Sequence, residues 1–121
     1  MKKIIPNKLK KGDEIRVIAP SRSMTILRED CIKIAVERLE KEGFKVTFGK
    51  NVMDCFDEDY VCGNIEKRVK DLEEAFSDKN VKAILTVIGG FNSNQILPYI
   101  NYDIIKENPK IICGYSDITI L

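Results

Sequence analysis

Four apolar runs separated by helical periods constrain this chain more than any single residue does. IRVIA (15–19) closes on Pro20, KVTF (45–48) alternates and is β-branched, VKAILTVIGG (81–90) is the most hydrophobic stretch, and KIIC (110–113) is short and apolar. Each suits a strand, and the unbroken runs suit strands covered on both faces. Between the first two, residues 27–42 place Ile32, Ala35, Val36 and Leu39 on one helical face and Lys33, Glu37, Arg38, Glu40 and Lys41 on the other, with Gly43 as the C-terminal cap. Between the second and third, NIEKRVKDLEEAFSD repeats its apolar residues at Ile65, Val69, Leu72 and Phe76 behind an Asn64 cap. Residues 94–105 read as one or two short helices interrupted at Pro98. The order β-α-β-α-β-α-β predicts a three-layer α/β/α fold on a mostly parallel, doubly wound sheet. Working groups in such sheets gather in loops beyond the carboxyl ends of the strands.

A chain of 121 residues suits one domain. Twenty basic residues against nineteen acidic ones leave a net charge of +1 with the signs interleaved, so no nucleic-acid or membrane partner is expected. The start, MKKIIPNKLKKGDEI, lacks the apolar core of a signal peptide, and no run approaches the roughly 18 apolar residues of a membrane span. A cytoplasmic protein is expected. The four cysteines have no C-x-x-C spacing and the chain has no histidine, so no metal is expected; the thiols read as reduced, with Cys31 and Cys113 packed as small apolar groups. The acidic residues Asp54, Asp57, Glu58 and Asp59 lack calcium-loop spacing and read as a solvated turn.

Three loops fall where chemistry is expected. In GYSD (114–117) a strand running into Ser116 and then a helix would expose the hydroxyl at a tight turn and leave the Asp117 amide free as an oxyanion donor, although Ile118 breaks the full G-x-S-x-G elbow. The competing reading makes Ser116 or Asp117 a helix cap. In GGFNSN (89–94) paired glycines after a buried strand allow close approach and free amides, or form a simple turn before a helix capped by Asn92 or Ser93. PSRS (20–23) could line a phosphate with hydroxyls, but it lacks a glycine, and Ser23 or Thr25 as a helix cap is the default.

The stretches LKKGDEIRVIAPS, GNIEKRVKDLEEAF and VKAILTVIGGFNSNQILPYINYDIIKENPKIICGYSDIT resemble the N-terminal half of the LD-carboxypeptidase family of serine peptidases, which includes muramoyltetrapeptide carboxypeptidases and microcin immunity peptidases. The resemblance implies a flavodoxin-like three-layer sandwich, with residues 1–121 as the nucleophile-bearing domain and the C-terminal domain absent. It implies Ser116 as nucleophile, the backbone amides of Asp117, Gly89 and Gly90 as oxyanion hole, and Phe91, Asn92, Ser93 and Asn94 along the substrate. A peptide or peptide-conjugate substrate, a homodimer in the full-length form, and no cofactor are further implications. The family's remaining triad members, a glutamate and a histidine, belong to the other domain. A serine with no base is a poor nucleophile at neutral pH, so the 121-residue chain is expected to be inactive alone. The alternative is a flavodoxin-like module holding a phosphate or flavin. A receiver domain fails, because no acidic pair follows 15–19 and no aspartate ends 83–88.

Overall fold

In a computed structural model of the chain, residues 2–55 and 62–121 are described. Four strands, β1 (Glu14–Ile18), β2 (Lys45–Phe48), β3 (Val81–Thr86) and β4 (Ile111–Cys113), form one parallel sheet in the order β2-β1-β3-β4. Helices α1 (Glu29–Lys41), α2 (Ile65–Ser77) and α3 (Tyr102–Glu107) make the crossovers. The connection β1-α1-β2 moves to one side and all later ones move to the other. Right-handed crossovers then put α1 on one face of the sheet and α2 and α3 on the opposite face. The direction reverses between β1 and β3, and a doubly wound sheet opens a crevice there.

The α2 face holds the main core. Val69, Leu72, Ala75 and Phe76 pack on Ile18, Val81, Ile84, Ile96 and Ile100. Asn64 caps α2 as expected, its side chain accepting from the Lys67 amide at 2.9 Å. At the end of α1, Gly43 takes φ +97°, and the amides of Gly43 and Phe44 bond back to the carbonyls of Glu40 and Leu39. That is a Schellman closure, and a residue with a Cβ would be strained there.

On the α1 side a smaller core of Ala19, Met24, Val52 and Cys62 takes Ile32, while Ala35 is exposed and Val36 and Leu39 are half-buried along an apolar cavity of about 110 Å³ against the sheet. Two expectations need correction. The β3 run ends at Thr86 rather than at the glycines, whose backbone turns away as the Gly89–Gly90 loop. Cys31 and Cys113 are both exposed, the first near the solvent-side start of α1 and the second on edge strand β4, whereas Cys62 is the buried thiol. Burial pushes the Cys62 thiol up to about 12, with the nearby carboxylates of Asp71 and Asp54 adding to the shift. Of the acidic cluster, Asp54 pairs with Lys67 at 2.6 Å, and Asp57, Glu58 and Asp59 lie outside the described residues.

Candidate active site

The three loops meet at the β1/β3 crevice. β4 gives way to Gly114 and Tyr115, and a 3-10 turn then runs from Ser116 to Ile120. Among the described residues Ser116 is the one non-glycine with positive φ, at +63°, and its side chain is exposed. A left-handed backbone at a residue with a Cβ costs about 1–2 kcal/mol, and such strain persists only where the surroundings hold it. Gly114 is part of that hold, since a Cβ there would lie 2.4 Å from Thr86 Oγ1 and 2.6 Å from Ile118 Cγ2. Bulk at position 114 would push the corner off the end of the sheet.

The Gly89–Gly90 loop lies directly against this corner. A Cβ on Gly89 would stand 3.1 Å from Ser116 Cβ, 3.3 Å from Ser116 Oγ and 3.4 Å from the Asp117 amide nitrogen. A Cβ on Gly90 would lie 2.2 Å from Ser21 Oγ and 3.1 Å from Arg22 Cγ. One glycine therefore faces the serine corner and the next faces the β1 loop. Among the described residues, no loop or turn hydrogen bond uses the amide of Gly89, Gly90 or Asp117.

Neither capping reading holds for GYSD. The 3-10 turn has Tyr115 at its cap position with no side-chain bond, and Asp117 turns instead toward the other loops. Its Oδ2 receives the Ser93 amide at 2.9 Å and stands 3.0 Å from Ser21 Oγ, which is also 2.6 Å from Asn92 Oδ1. Burial pushes the Asp117 carboxyl up, but the hydrogen bonds from Ser93 and Ser21 outweigh it and hold the carboxyl below its ordinary value. The carboxylate thus joins all three loops.

PSRS does not present its hydroxyls to a ligand. Ser21 and Ser23 are fully buried; Ser23 Oγ reaches the Val52 carbonyl at 3.2 Å and caps the turn Met24–Ile26 by accepting from the Thr25 amide, as the default reading expects. The four residues of the β3 loop divide. Phe91 and Asn94 face solvent, while Asn92 and Ser93 are buried, and Asn92 makes no side-chain cap.

Sequence reading missed Arg68, and it set Ser21 in a phosphate-lining loop rather than in its contact with Asp117. Arg68, 2% exposed, reaches from α2 to bond the carbonyls of Pro20 and Asn92 at 3.2 Å each and Gln95 Oε1 at 2.8 Å. Burial pulls its guanidinium below the ordinary value, and the Cys62 and Asp117 side chains act against that fall. A signal was available: Arg68 stands three residues after Ile65 and four before Leu72, on the inward stripe of α2. The buried side-chain nitrogens left without a partner among the described residues, Arg22 Nε, Arg68 Nε and Asn92 Nδ2, belong to these loops or to the residue that ties them. A buried polar group without a partner needs a reason, and a role in binding or catalysis is one such reason.

A parallel α/β domain with an exposed serine on a strained strand-to-turn corner, set against a diglycine loop at the switch point, has an architecture found among α/β hydrolases. Residues 15–121 match the LD-carboxypeptidase N-terminal domain, Peptidase_S66, and the chain belongs to that family. It is 52% identical over 115 residues to the putative carboxypeptidase YocD of Bacillus subtilis, covering 95% of this chain and 35% of YocD. It is 37% identical over 110 residues to the microcin C7 self-immunity protein MccF of Escherichia coli, covering 91% of this chain and 31% of that protein. The crystal structure of an MccF-like protein from Bacillus anthracis superimposes with a TM-score of 0.93 at 54% identity, covering 97% of this chain and 35% of the other. The chain thus spans about a third of the length of the relatives it matches.

Proposed function

We propose that this chain is the nucleophile-bearing part of a serine-type carboxypeptidase that cleaves a C-terminal amide, with Ser116 as the attacking group. The observation that carries the reading is the left-handed backbone of exposed Ser116, held against Gly89. Ser116 Oγ attacks the carbonyl to give an acyl-enzyme and releases the amine, and water then releases the acid. Amides of Asp117 and the Gly89–Gly90 loop stabilise the oxyanion. Phe91 and Asn94 border the substrate; Asn92 and Ser93 act from beneath by fixing Ser21 and Asp117.

The names of relatives support two substrate types. One is a murein tetrapeptide carboxypeptidase, and MccF has been solved with aspartyl sulfamoyl adenosine. An active-site mutant of MccF replaces a serine, which fits a serine mechanism. With no histidine among its 121 residues, this chain has no imidazole to activate Ser116, so alone it turns over no substrate.

The test is a graft in which this chain replaces the corresponding first third of YocD. The graft is expected to release D-alanine from an L,D-tetrapeptide, and Ser116→Ala to lower kcat/KM by on the order of 10⁴–10⁶-fold. Equal turnover by both versions would remove the assigned nucleophile.

A further inference from the structure

A carboxypeptidase must recognise one feature absent from internal peptide bonds, an anion two bonds beyond the scissile nitrogen. An acyl sulfamate carries a two-oxygen sulfonyl group directly on that nitrogen, and ionisation of its acidic N–H spreads negative charge over those oxygens. The site offers a cation with no assigned work. Three charged side chains serve the crevice loops: Arg22, Arg68 and Asp117. Asp117 is engaged by Ser21 and Ser93, and Arg68 spends its donors on two carbonyls and Gln95. Arg22 enters no ion pair or hydrogen bond among the described residues, although it is half-buried and its Nε is wholly buried without a partner. A buried Nε–H left unpaired is costly unless a ligand completes it, and the rest of this half-buried guanidinium stays open to one.

Its position suits that ligand. The Arg22 stem packs on Gly90, 3.1 Å from where a Cβ would stand, while the adjacent Gly89 packs on Ser116. The guanidinium carbon lies 5.6 Å from the centre of the exposed Phe91 ring. A cation–π contact of this kind consumes no N–H donor, so the N–H fork stays available for an oxyanion with two oxygens.

We propose that Arg22 is the substrate anchor of this site, binding through its N–H fork the anionic group carried on the leaving nitrogen of the scissile amide, with Phe91 holding the guanidinium flat. The proposal rests on Ser116 being the nucleophile. A neutral carboxamide in place of the anion leaves the fork unpaired, which gives the site its preference for a chain end over an internal bond.

The Arg22 Nε–Hε signal of the ¹⁵N-labelled 121-residue chain, assigned with Arg22→Gln, reports binding without turnover. Diacetyl-L-lysyl-D-alanine is expected to shift it saturably, and its C-terminal carboxamide to bind at least tenfold more weakly. Arg22→Gln should lose the binding seen elsewhere in the spectrum by at least tenfold, and Arg22→Lys should retain part of it. Aspartyl sulfamoyl adenosine forms the second arm: a shift with it and none with the peptide acid assigns the anchor to nucleotide conjugates rather than to peptide carboxylates. Equal shifts by acid and carboxamide, unchanged binding to Arg22→Gln, or no shift by either anion at 20 mM overturns the anchor. The Ser116→Ala chain should bind as the parent does. Anchor signals that persist while the graft needs no Ser116 would sink the nucleophile alone, and an active, Ser116-dependent graft with silent Arg22 would sink the anchor alone.

Discussion

Ser21 Oγ stands 3.0 Å from Asp117 Oδ2 across 96 residues of chain, so the first and last loops of the crevice are joined by one side-chain contact. Ser21→Ala removes that contact and orphans the Asn92 carboxamide oxygen inside the domain. Leaving buried acceptors unpaired costs about 1–3 kcal/mol. Urea unfolding should show a loss of that size with an unchanged slope. A loss below about 0.5 kcal/mol would mean the loops are held by other contacts.

Acid unfolding should report Asp117. Its folded-state pKa lies below its unfolded one, so the unfolded chain binds more protons between the two values and stability rises with pH there. The contribution is complete above the unfolded value of about 3.9 and vanishes as pH falls through the folded value. Asp71 works in the other sense: burial raises its pKa, opposed by hydrogen bonds from Asn51, so its contribution is greatest in acid and is lost as pH rises through the folded value. Asp117→Asn should flatten the acid limb of the stability curve and Asp71→Asn should steepen it. Parallel curves for both variants would contradict these assignments.

The strain at Ser116 makes a prediction opposite in sign to function. Ser116→Gly keeps the φ of +63° without a Cβ and should stabilise the domain by about 1 kcal/mol, while Ser116→Ala keeps the strain and should not. Thermal unfolding distinguishes them. A destabilised glycine variant would mean that the corner is not strained.

The glycine pair should separate chemistry from folding. Gly90→Ala drives a methyl into Ser21 Oγ at 2.2 Å and should cost about 1–3 kcal/mol. Gly89→Ala meets Ser116 at 3.1–3.3 Å, where an exposed side chain can yield, so it should lower the activity of the YocD graft far more than its melting temperature. Equal thermal losses in both variants would remove the distinction.

Thiol labelling of the folded chain at pH 8, read by peptide mass mapping, should modify Cys31 and Cys113 and spare Cys62. Burial and a pKa of about 12 keep the Cys62 thiolate scarce, and its Sγ–H is engaged by the Asn51 carbonyl at 2.9 Å. Rapid modification of Cys62 would show that this part of the core opens readily.

The elements themselves were legible because each is a local pattern: β-branched alternation places β2 at Lys45–Phe48, and period 3.6 with Asn64 and Gly43 fixes the start of α2 and the end of α1 within a residue or two. The serine corner was legible as a motif, since Gly-aromatic-Ser after an apolar run is also local. What stayed hidden depends on distance. The exposure of Cys113 follows from β4 standing at the sheet edge, and that of Ala35 from how little of the sheet α1 covers. Apolar periodicity says which side of an element faces inward, but not whether anything waits there. The inward turn of Ser21, the engagement of Asp117 with the Ser93 amide, and Arg68 spanning the Pro20 and Asn92 carbonyls arise only when the strand order brings β1 and β3 side by side. Chain composition and spacing determine which groups are available, and the reversal of the sheet at β1 and β3 decides which of them meet, because hydrogen bonds between groups tens of residues apart have no signature in local sequence.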